Sequence, residues 1–374
     1  MLSIQEEVVV CNKIKVAFLH SNCKDFRFPV FNGLSKNEGV DIDFFLLDEP
    51  CSKLDDLTLI DSVRIPLCQD LVIPFNLSKE LNKKQYDVII STDLGYAITY
   101  VGFYHSIRNK IRFILWNEQW ADVIHPRRFI TKPLERYIVK NCYKILSFGN
   151  KQKKYLLDNG AELSQLIHAP NVVPLSNIPF HDDLYIKDIA ECEYILCFGR
   201  LVSFKGQASL IKAFKLISDK YPLKKLLLAG EGPEYKKLHD LVNKLGLSGK
   251  VIIPNKKVLT SQKYSLLNKA EMVVLPSIRT RTTEAWGLVV NEAATLGKPI
   301  IVSDHTGVAD DLIINNESGL VYSQNNEVEL YKCIEQYINN PTFSLLMGAN
   351  AKKKIEDYFN VDVLINKILR SFDE

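Results

Sequence analysis

Residues 194–220, YILCFGRLVSFKGQASLIKAFKLISDK, decide the fold class because a strand, a glycine turn and a helix follow one another there. The short apolar run at 194–199 is typical of a parallel strand that is covered on both faces. Gly199 permits a tight turn at its end, and 206–220 has the spacing of a helix. The stretch therefore predicts one strand–helix unit of a doubly wound α/β sheet.

The same alternation of short apolar runs and longer helical stretches occurs in two series along the chain. Because 374 residues exceed the usual size of a single core, two domains are expected. We predict two doubly wound, Rossmann-like domains that face a cleft, where ligands of such folds bind. The predicted strands are 15–20, 41–47, 87–92, 112–116 and 144–148 in the first series, and 194–199, 225–229, 250–253, 271–275, 299–303 and 319–322 in the second.

The boundary between the two domains is expected within Pro170–Glu193, which contains three prolines and an acidic, polar run. The first domain is predicted to span residues 1–178 and the second residues 179–350. A long amphipathic helix at roughly 349–372 follows the last predicted strand. We expect this C-terminal segment, 351–374, to pack back on the first domain.

A second informative stretch is Pro276–Gly297, PSIRTRTTEAWGLVVNEAATLG, which places Glu284 and Glu292 eight positions apart. Gly287 is expected to begin a short helix over Leu288–Leu296, with Glu284 in the loop before it and Glu292 on its second turn. The free N–H groups at such a helix start suit an anion such as a diphosphate. The alternative is a helix with two solvated glutamates.

Arg200 and Lys205 follow the strand at 194–199 and precede a helix. Arginine can clamp phosphate oxygens with two hydrogen bonds, and lysine supplies a mobile point charge, so this turn suits a diphosphate. Gly230 and Gly232, in the turn AGEGP, would let the backbone approach a ligand closely. Ordinary surface turns, with solvated cations in the first case, are the alternatives.

In the first domain, residues 116–120, WNEQW, follow a predicted strand. Their aromatic rings are candidates for a sugar platform, and packing in the core is the alternative. Asp41 and Asp43 resemble a metal-binding DxD, but a hard cation needs more converging ligands. The histidines and cysteines lack the spacing of a zinc site, so neither a metal ion nor a cofactor is expected.

A net charge of +3 indicates a protein that is not a strong binder of nucleic acid. Within Tyr104–Lys154, however, 12 Lys and Arg stand against three carboxylates. Such a region attracts anionic partners, including lipid head groups, or is a solvated helix face. The cysteines are scattered in apolar surroundings, which suggests buried free thiols. The sequence also lacks a persuasive signal peptide or membrane span. Together these features predict a cytoplasmic protein, at most peripheral to a membrane.

Three motifs together resemble the retaining glycosyltransferases of family 4 (glycosyl transferases group 1), which have the two-domain GT-B fold. The motifs are Gly199-Arg200…Lys205-Gly206, Gly230-Glu231-Gly232-Pro233 and the pair Glu284…Glu292. The resemblance covers most of Tyr194–Tyr322. It implies sugar transfer from a nucleotide-diphosphate sugar, UDP- or GDP-linked, with retention of anomeric configuration and without a metal ion.

The resemblance also implies roles for individual residues. Arg200 and Lys205 would neutralise the donor diphosphate, Glu284 would contact the donor sugar, and these three form the catalytic set. Glu292 would hold the ribose of the nucleotide. Further donor contacts are implied for Gly199, Gly230, Glu231, Gly287 and Leu288.

The first domain departs from the family pattern, since residues 20–26, HSNCKDF, lack the usual glycine-rich loop. A family histidine is also absent after the mid-domain strand, where Trp116 and Glu118 are the candidate acceptor residues. The leading hypothesis is a retaining glycosyltransferase that acts on a glycan or lipid-linked acceptor. The alternative is a catalytically silent nucleotide-sugar-binding partner of another transferase. A nicotinamide dehydrogenase is disfavoured because no GxGxxG follows the first strand.

Overall fold

The structure is a computed structural model that describes residues 13–64, 72–122, 127–174 and 193–373. Two parallel sheets, one from each half of the chain, are flanked by helices within these ranges. The predicted domain boundary after residue 178 lies outside the described residues. The division predicted at residue 350 falls within a helix, Pro341–Asp357.

The first sheet is built from the first half of the chain. Its strands, with one separate hairpin, are β1 (Ile14–His20), β2 (Val40–Leu46), β3 (Leu57–Leu59), β4 (Ser62–Arg64), β5 (Val72–Pro74), β6 (Val88–Ser91), β7 (Arg112–Asn117), β8 (Lys144–Ser147) and β9 (Leu166–His168). The helices are α1 (Phe28–Ser35), α2 (Leu77–Leu81), α3 (Ala97–Asn109), α4 (Arg127–Asn141) and α5 (Asn150–Asp158). The seven strands run parallel in the order β3-β2-β1-β6-β7-β8-β9, while β4 and β5 form the antiparallel hairpin.

The second sheet has six parallel strands. They are β10 (Tyr194–Phe198), β11 (Lys225–Ala229), β12 (Val251–Ile252), β13 (Met272–Leu275), β14 (Ile300–Ser303) and β15 (Leu320–Tyr322). The helices are α6 (Gln207–Lys220), α7 (Tyr235–Lys244), α8 (Thr260–Lys269), α9 (Leu288–Thr295), α10 (Glu327–Asn339), α11 (Pro341–Asp357) and α12 (Val361–Arg370). The strand order is β12-β11-β10-β13-β14-β15, so the winding direction reverses between β10 and β13. Loops that follow these two strands therefore border the crevice where ligands of doubly wound sheets bind.

All eleven predicted strands are confirmed, with ends that differ by at most one residue. The uninterrupted apolar runs correspond to strands buried on both faces, for example β6, in which all four residues are buried. Four strands were not predicted, namely β3, β4, β5 and β9, each of three residues. Runs this short carry too little pattern to separate them from loops.

The C-terminal segment contains two helices, so the prediction of one helix at roughly 349–372 is wrong. The chain turns after α11, and the side chain of Asn360 then caps α12 by accepting the Val363 N–H at 2.9 Å. As predicted, the segment returns to the first domain, where α12 packs on α1. A Cβ atom on Gly33 of α1 would lie 2.4 Å from Ile365 Cδ1 of α12, so the two helices are in close contact there.

None of the described helices is long and apolar enough to cross a membrane. The expectation of buried thiols holds for Cys23, Cys142 and Cys197, and Cys333 is half-buried. Cys51, in a bend after β2, is exposed, contrary to this expectation.

Candidate functional site

The turns that follow β10 and β11 pack directly against each other. The Leu201 N–H donates to the Glu231 carbonyl at 2.8 Å, and the Glu234 N–H donates to the Leu201 carbonyl at 3.0 Å. A Cβ atom on Gly230 would lie 2.1 Å from the carbonyl oxygen of Gly199. Gly230 is therefore needed for one turn to approach the other, which is a packing requirement that the sequence did not reveal.

Lys205 and Glu284, which lie 79 positions apart in the sequence, form an ion pair beyond the carboxyl ends of the strands of the second sheet. Lys205 Nζ lies 2.5 Å from Glu284 Oε2, and the two side chains are only 14% and 12% exposed. Ser277, just after β13, donates its hydroxyl to the same Oε2 at 3.1 Å. Arg200 is exposed, and no carboxylate of the described residues pairs with it. The structure therefore brings Lys205 and Glu284 together and leaves the Arg200 guanidinium available.

The short helix α9 begins at the predicted position. Its N-cap residue, Gly287, has a φ of +106°, and a Cβ atom there would lie 2.4 Å from Leu275 Cδ2. Glycine is required both by this backbone conformation and by the close contact. Glu284 lies in the preceding loop and Glu292 on the second turn, as expected. The first turn of α9 starts at Leu288, four positions after Glu284 in the sequence. Its N–H groups have no partner four residues back within the helix, and that of Val290 donates to the Gly287 carbonyl at 2.8 Å.

Glu292 pairs with a lysine that the sequence analysis did not identify. Lys263 Nζ, on α8, lies 2.5 Å from Glu292 Oε1, and the side chains are 17% and 11% exposed. Burial raises the pKa of Glu292, and the charge of Lys263 opposes this shift. Nothing in the local spacing marks Lys263, since α8 and α9 are brought together by tertiary packing.

On the first-domain side, Trp116 is buried, with 2% exposure, and its ring packs 4.5 Å from that of Phe148. It offers no ring face to a ligand, so the packing alternative applies to it. Its indole N–H donates to Glu118 Oε1 at 2.8 Å, and the same carboxylate pairs with Arg27. Asp93, which follows β6, accepts the backbone N–H of Glu118 at 2.6 Å. Burial, followed by the charge of Glu118, raises the pKa of Asp93 to about 7.

The carboxylates of Asp41 and Asp43, the DxD pair, both form an ion pair with the same lysine. Lys84 Nζ lies 2.8 Å from Asp41 Oδ1 and 2.9 Å from Asp43 Oδ2. The Tyr86 hydroxyl donates to Asp43 Oδ2 at 2.6 Å. In the described ranges no group of three or more His, Cys, Asp or Glu is arranged to hold a metal ion.

The basic region Tyr104–Lys154 carries an exposed apolar stripe. Ile130, Leu134 and Tyr137 of α4 are 82%, 46% and 52% exposed, at the i, i+4, i+7 spacing of one helix face. Tyr104 and Ile107 of the adjacent α3 are 64% and 51% exposed. These five residues, here called the α3–α4 face, are accompanied by exposed cations at 108, 110, 136 and 140. A surface helix of a globular protein normally packs its apolar stripe against the core, so the exposure of this stripe is unusual.

Comparison with known proteins finds a family profile that matches the second domain. Residues 187–354 match the profile of the family described as Glycosyl transferases group 1. The chain is 27% identical over 337 residues to an uncharacterized glycosyltransferase of Haemophilus influenzae. The aligned region covers 88% of this chain and 90% of that protein. It is 30% identical over 168 residues to the capsular polysaccharide biosynthesis glycosyltransferase CapM of Staphylococcus aureus, covering 44% and 42% of the two chains.

Among solved structures, the chain resembles HepE of Anabaena in complex with UDP. The TM-score is 0.75 at 17% identity, and the match covers 96% of this chain and 99% of that one. Likeness at this identity concerns the fold, and it confirms the predicted GT-B class. The second domain thus matches the profile of Glycosyl transferases group 1, and the whole chain has the GT-B fold.

Proposed function

We propose that this chain is a retaining glycosyltransferase of family 4 that moves a sugar from a nucleotide-diphosphate sugar to a glycan or lipid-linked acceptor, without a metal ion. The observation that carries this proposal is the buried Lys205–Glu284 pair in front of α9. A cation, a carboxylate that can accept sugar hydroxyls and a helix N-terminus occur there together. A nucleotide sugar presents the complementary groups, a diphosphate attached to a sugar.

In this mechanism Lys205 and Arg200 stabilise the negative charge that develops on the diphosphate as the bond from the sugar to the phosphate breaks. The N–H groups at the start of α9 support the same charge. The acceptor hydroxyl oxygen forms the new glycosidic bond on the face that the phosphate leaves, and its proton passes to the leaving phosphate. Glu284 binds hydroxyls of the donor sugar and holds the reacting carbon in place.

Glu292 is proposed to bind the ribose hydroxyls of the nucleotide, with Lys263 fixing its carboxylate. A carboxylate accepts two hydroxyl donors well, and a fixed one loses little entropy on binding. UDP is the nucleotide we favour, because HepE was solved with UDP. CapM, named for capsular polysaccharide biosynthesis, supports a glycan or lipid-linked acceptor. On the acceptor side we retain Glu118 rather than the buried Trp116.

Replacing Glu292 with glutamine is expected to weaken UDP binding about tenfold or more, because hydrogen bonds to a charged acceptor are lost. Calorimetric titration with UDP measures the effect. Glu335→Gln is the matched control, since Glu335 also pairs with a lysine, Lys220 at 2.7 Å, but on the outer helices α10 and α6. Equal UDP affinity in the Glu292 variant and the wild type would remove Glu292 from the nucleotide site.

We further propose that the α3–α4 face contacts an anionic membrane. An apolar stripe flanked by cations is complementary to a bilayer surface with negative head groups. Lys132 of α4 pairs with Asp122, four positions after Glu118, at 2.5 Å, which links the helix to the proposed acceptor side. A lipid-linked acceptor would then reach the cleft from the surface on which the protein lies.

Replacing Ile130 with aspartate is expected to lower partitioning onto vesicles with anionic lipid by about tenfold, since an apolar side chain is lost and a repelled charge is gained. Sedimentation at low salt measures the bound fraction. Leu345→Asp is the control, because Leu345 is 67% exposed on α11 in the second domain. If the wild type does not bind such vesicles, or if both variants bind equally, the membrane proposal is wrong.

The direct test of function is a transfer assay with UDP-, GDP- and ADP-sugars, guided by a thermal-shift screen of the same donors. We expect stabilisation by a UDP-sugar and a product whose anomeric configuration, read by NMR, equals that of the donor. Chelation of divalent metals should leave the rate unchanged. A protein that binds a donor tightly, but neither hydrolyses it nor transfers its sugar to any glycan or lipid-linked acceptor, would instead be the silent partner.

A further inference from the structure

The first domain binds the backbone of the proposed catalytic loop through Trp120. The Trp120 indole N–H donates to the carbonyl oxygen of Glu284 at 2.8 Å, across 164 positions of sequence. The same carbonyl accepts the Gly307 N–H of the second domain at 3.2 Å. The peptide of Glu284 is therefore held by one donor from each domain.

The next peptide is held in a similar way. Gln152, which is fully buried on α5, donates its amide N–H to the carbonyl of Ala285 at 3.0 Å and to that of Glu118 at 3.3 Å. Two consecutive carbonyls of the second-domain loop thus accept hydrogen bonds from first-domain side chains. Residues 276–287 contain no helix or ladder strand, so such contacts determine where this loop lies.

The Trp120 ring is itself fixed by neighbouring polar groups. The ammonium of Lys151 lies over the ring, 5.2 Å from its centroid, and donates to the Thr306 carbonyl at 2.8 Å. The ring of His305 lies 4.7 Å away at an interplanar angle of 67°. An ammonium over a tryptophan face is attracted to it. The Trp120 side chain therefore bridges the two domains, and its ring is not an open platform for a sugar.

We propose that Trp120 is a positioning residue that places Glu284 for transfer only when the first domain is docked on the second. With the domains apart, Glu284 keeps Lys205, Ser277 and the Gly307 N–H but loses the Trp120 donor of the first domain. The donor sugar would then be misplaced relative to its phosphate. This inference rests on the proposed function for its catalytic consequence, while the backbone restraint stands independently of it.

The test is Trp120→Phe, which keeps an aromatic ring and removes the indole N–H. Amide hydrogen exchange at Gly307 should become faster, because its N–H donates to the Glu284 carbonyl and opens more often once that carbonyl loses the Trp120 restraint. With a UDP-sugar, kcat should fall about tenfold through misplacement of the reacting groups, whereas the Kd for UDP should stay within about twofold. Tyr358→Phe is the control, because it also deletes one hydrogen bond between the domains, from Tyr358 to the His168 carbonyl at 3.1 Å.

Unchanged exchange at Gly307 in Trp120→Phe overturns the proposal, whether or not transfer is observed. Wild-type kcat in this variant, or an equal loss in Tyr358→Phe, overturns it as well. A variant that loses UDP affinity in proportion to its rate would assign Trp120 to nucleotide binding and also contradict the positioning role. If the wild type transfers no sugar at all, the proposed function fails, and the exchange measurement still decides whether Trp120 restrains the loop.

Discussion

Lys205→Met is expected to lower the rate of sugar transfer by about 10³-fold, because a fixed cation at the departing phosphate is lost. Methionine keeps the length of the side chain and removes its charge. The variant also leaves the Glu284 carboxylate buried with only Ser277 as a partner, which costs about 3–5 kcal/mol of folding stability in comparable buried pairs. Rates must therefore be measured on protein whose folded fraction is known from thermal unfolding.

Two further variants separate the loss of catalysis from the loss of stability. Lys224→Met breaks a pair of similar burial in the same domain, with Glu271 at 2.7 Å and side chains 19% and 20% exposed, and should leave the rate of the folded enzyme unchanged. The double variant Lys205→Met/Glu284→Gln removes both charges, so it should recover stability without recovering activity. A Lys205→Met enzyme with near-normal turnover would refute the assignment of the site.

Glu284→Gln is expected to reduce turnover by about 10²-fold or more while UDP binds at least as tightly as before, because UDP contains no donor sugar. Glutamine retains an oxygen that can accept the Ser277 hydroxyl. Without the carboxylate, Lys205 is free to approach the phosphates. Steady-state kinetics with a UDP-sugar and calorimetry with UDP together measure the two effects.

The control for this variant is Glu271→Gln, in which the partner of Lys224 loses its charge outside the proposed site. It should change neither the rate nor the affinity. Weaker UDP binding by Glu284→Gln with intact turnover would place this carboxylate at the nucleotide instead of the sugar.

The features predicted correctly from the sequence are those encoded by neighbouring residues. Buried strands such as β6 are uninterrupted apolar runs, and Gly287 marks the start of α9 because its backbone conformation excludes other side chains. Asn360 was a further local signal, since asparagine is a preferred N-cap. The amphipathic pattern on both sides of it led to the incorrect prediction of one continuous helix.

The partners of the candidate residues could not be predicted in this way. Lys263 lies 29 positions from Glu292, and Arg27 lies 91 positions from Glu118. Many lysines and arginines along the chain have equally suitable chemistry, and only the packing of helices and loops selects among them. For the same reason, the sequence does not distinguish the roles of Trp116 and Trp120. Trp116 is buried in a core, whereas Trp120 donates a hydrogen bond to Glu284.

The return of α12 to the first domain limits how the two halves of the molecule can separate. The chain passes from one sheet to the other between β9 and β10 and comes back between α11 and α12. The hydrogen bond from Tyr358 to the carbonyl of His168, the last residue of β9, places the return beside the end of β9. We therefore expect the two domains to open by rotation about an axis through this contact, because sliding would break the hydrogen bond from Tyr358 to His168.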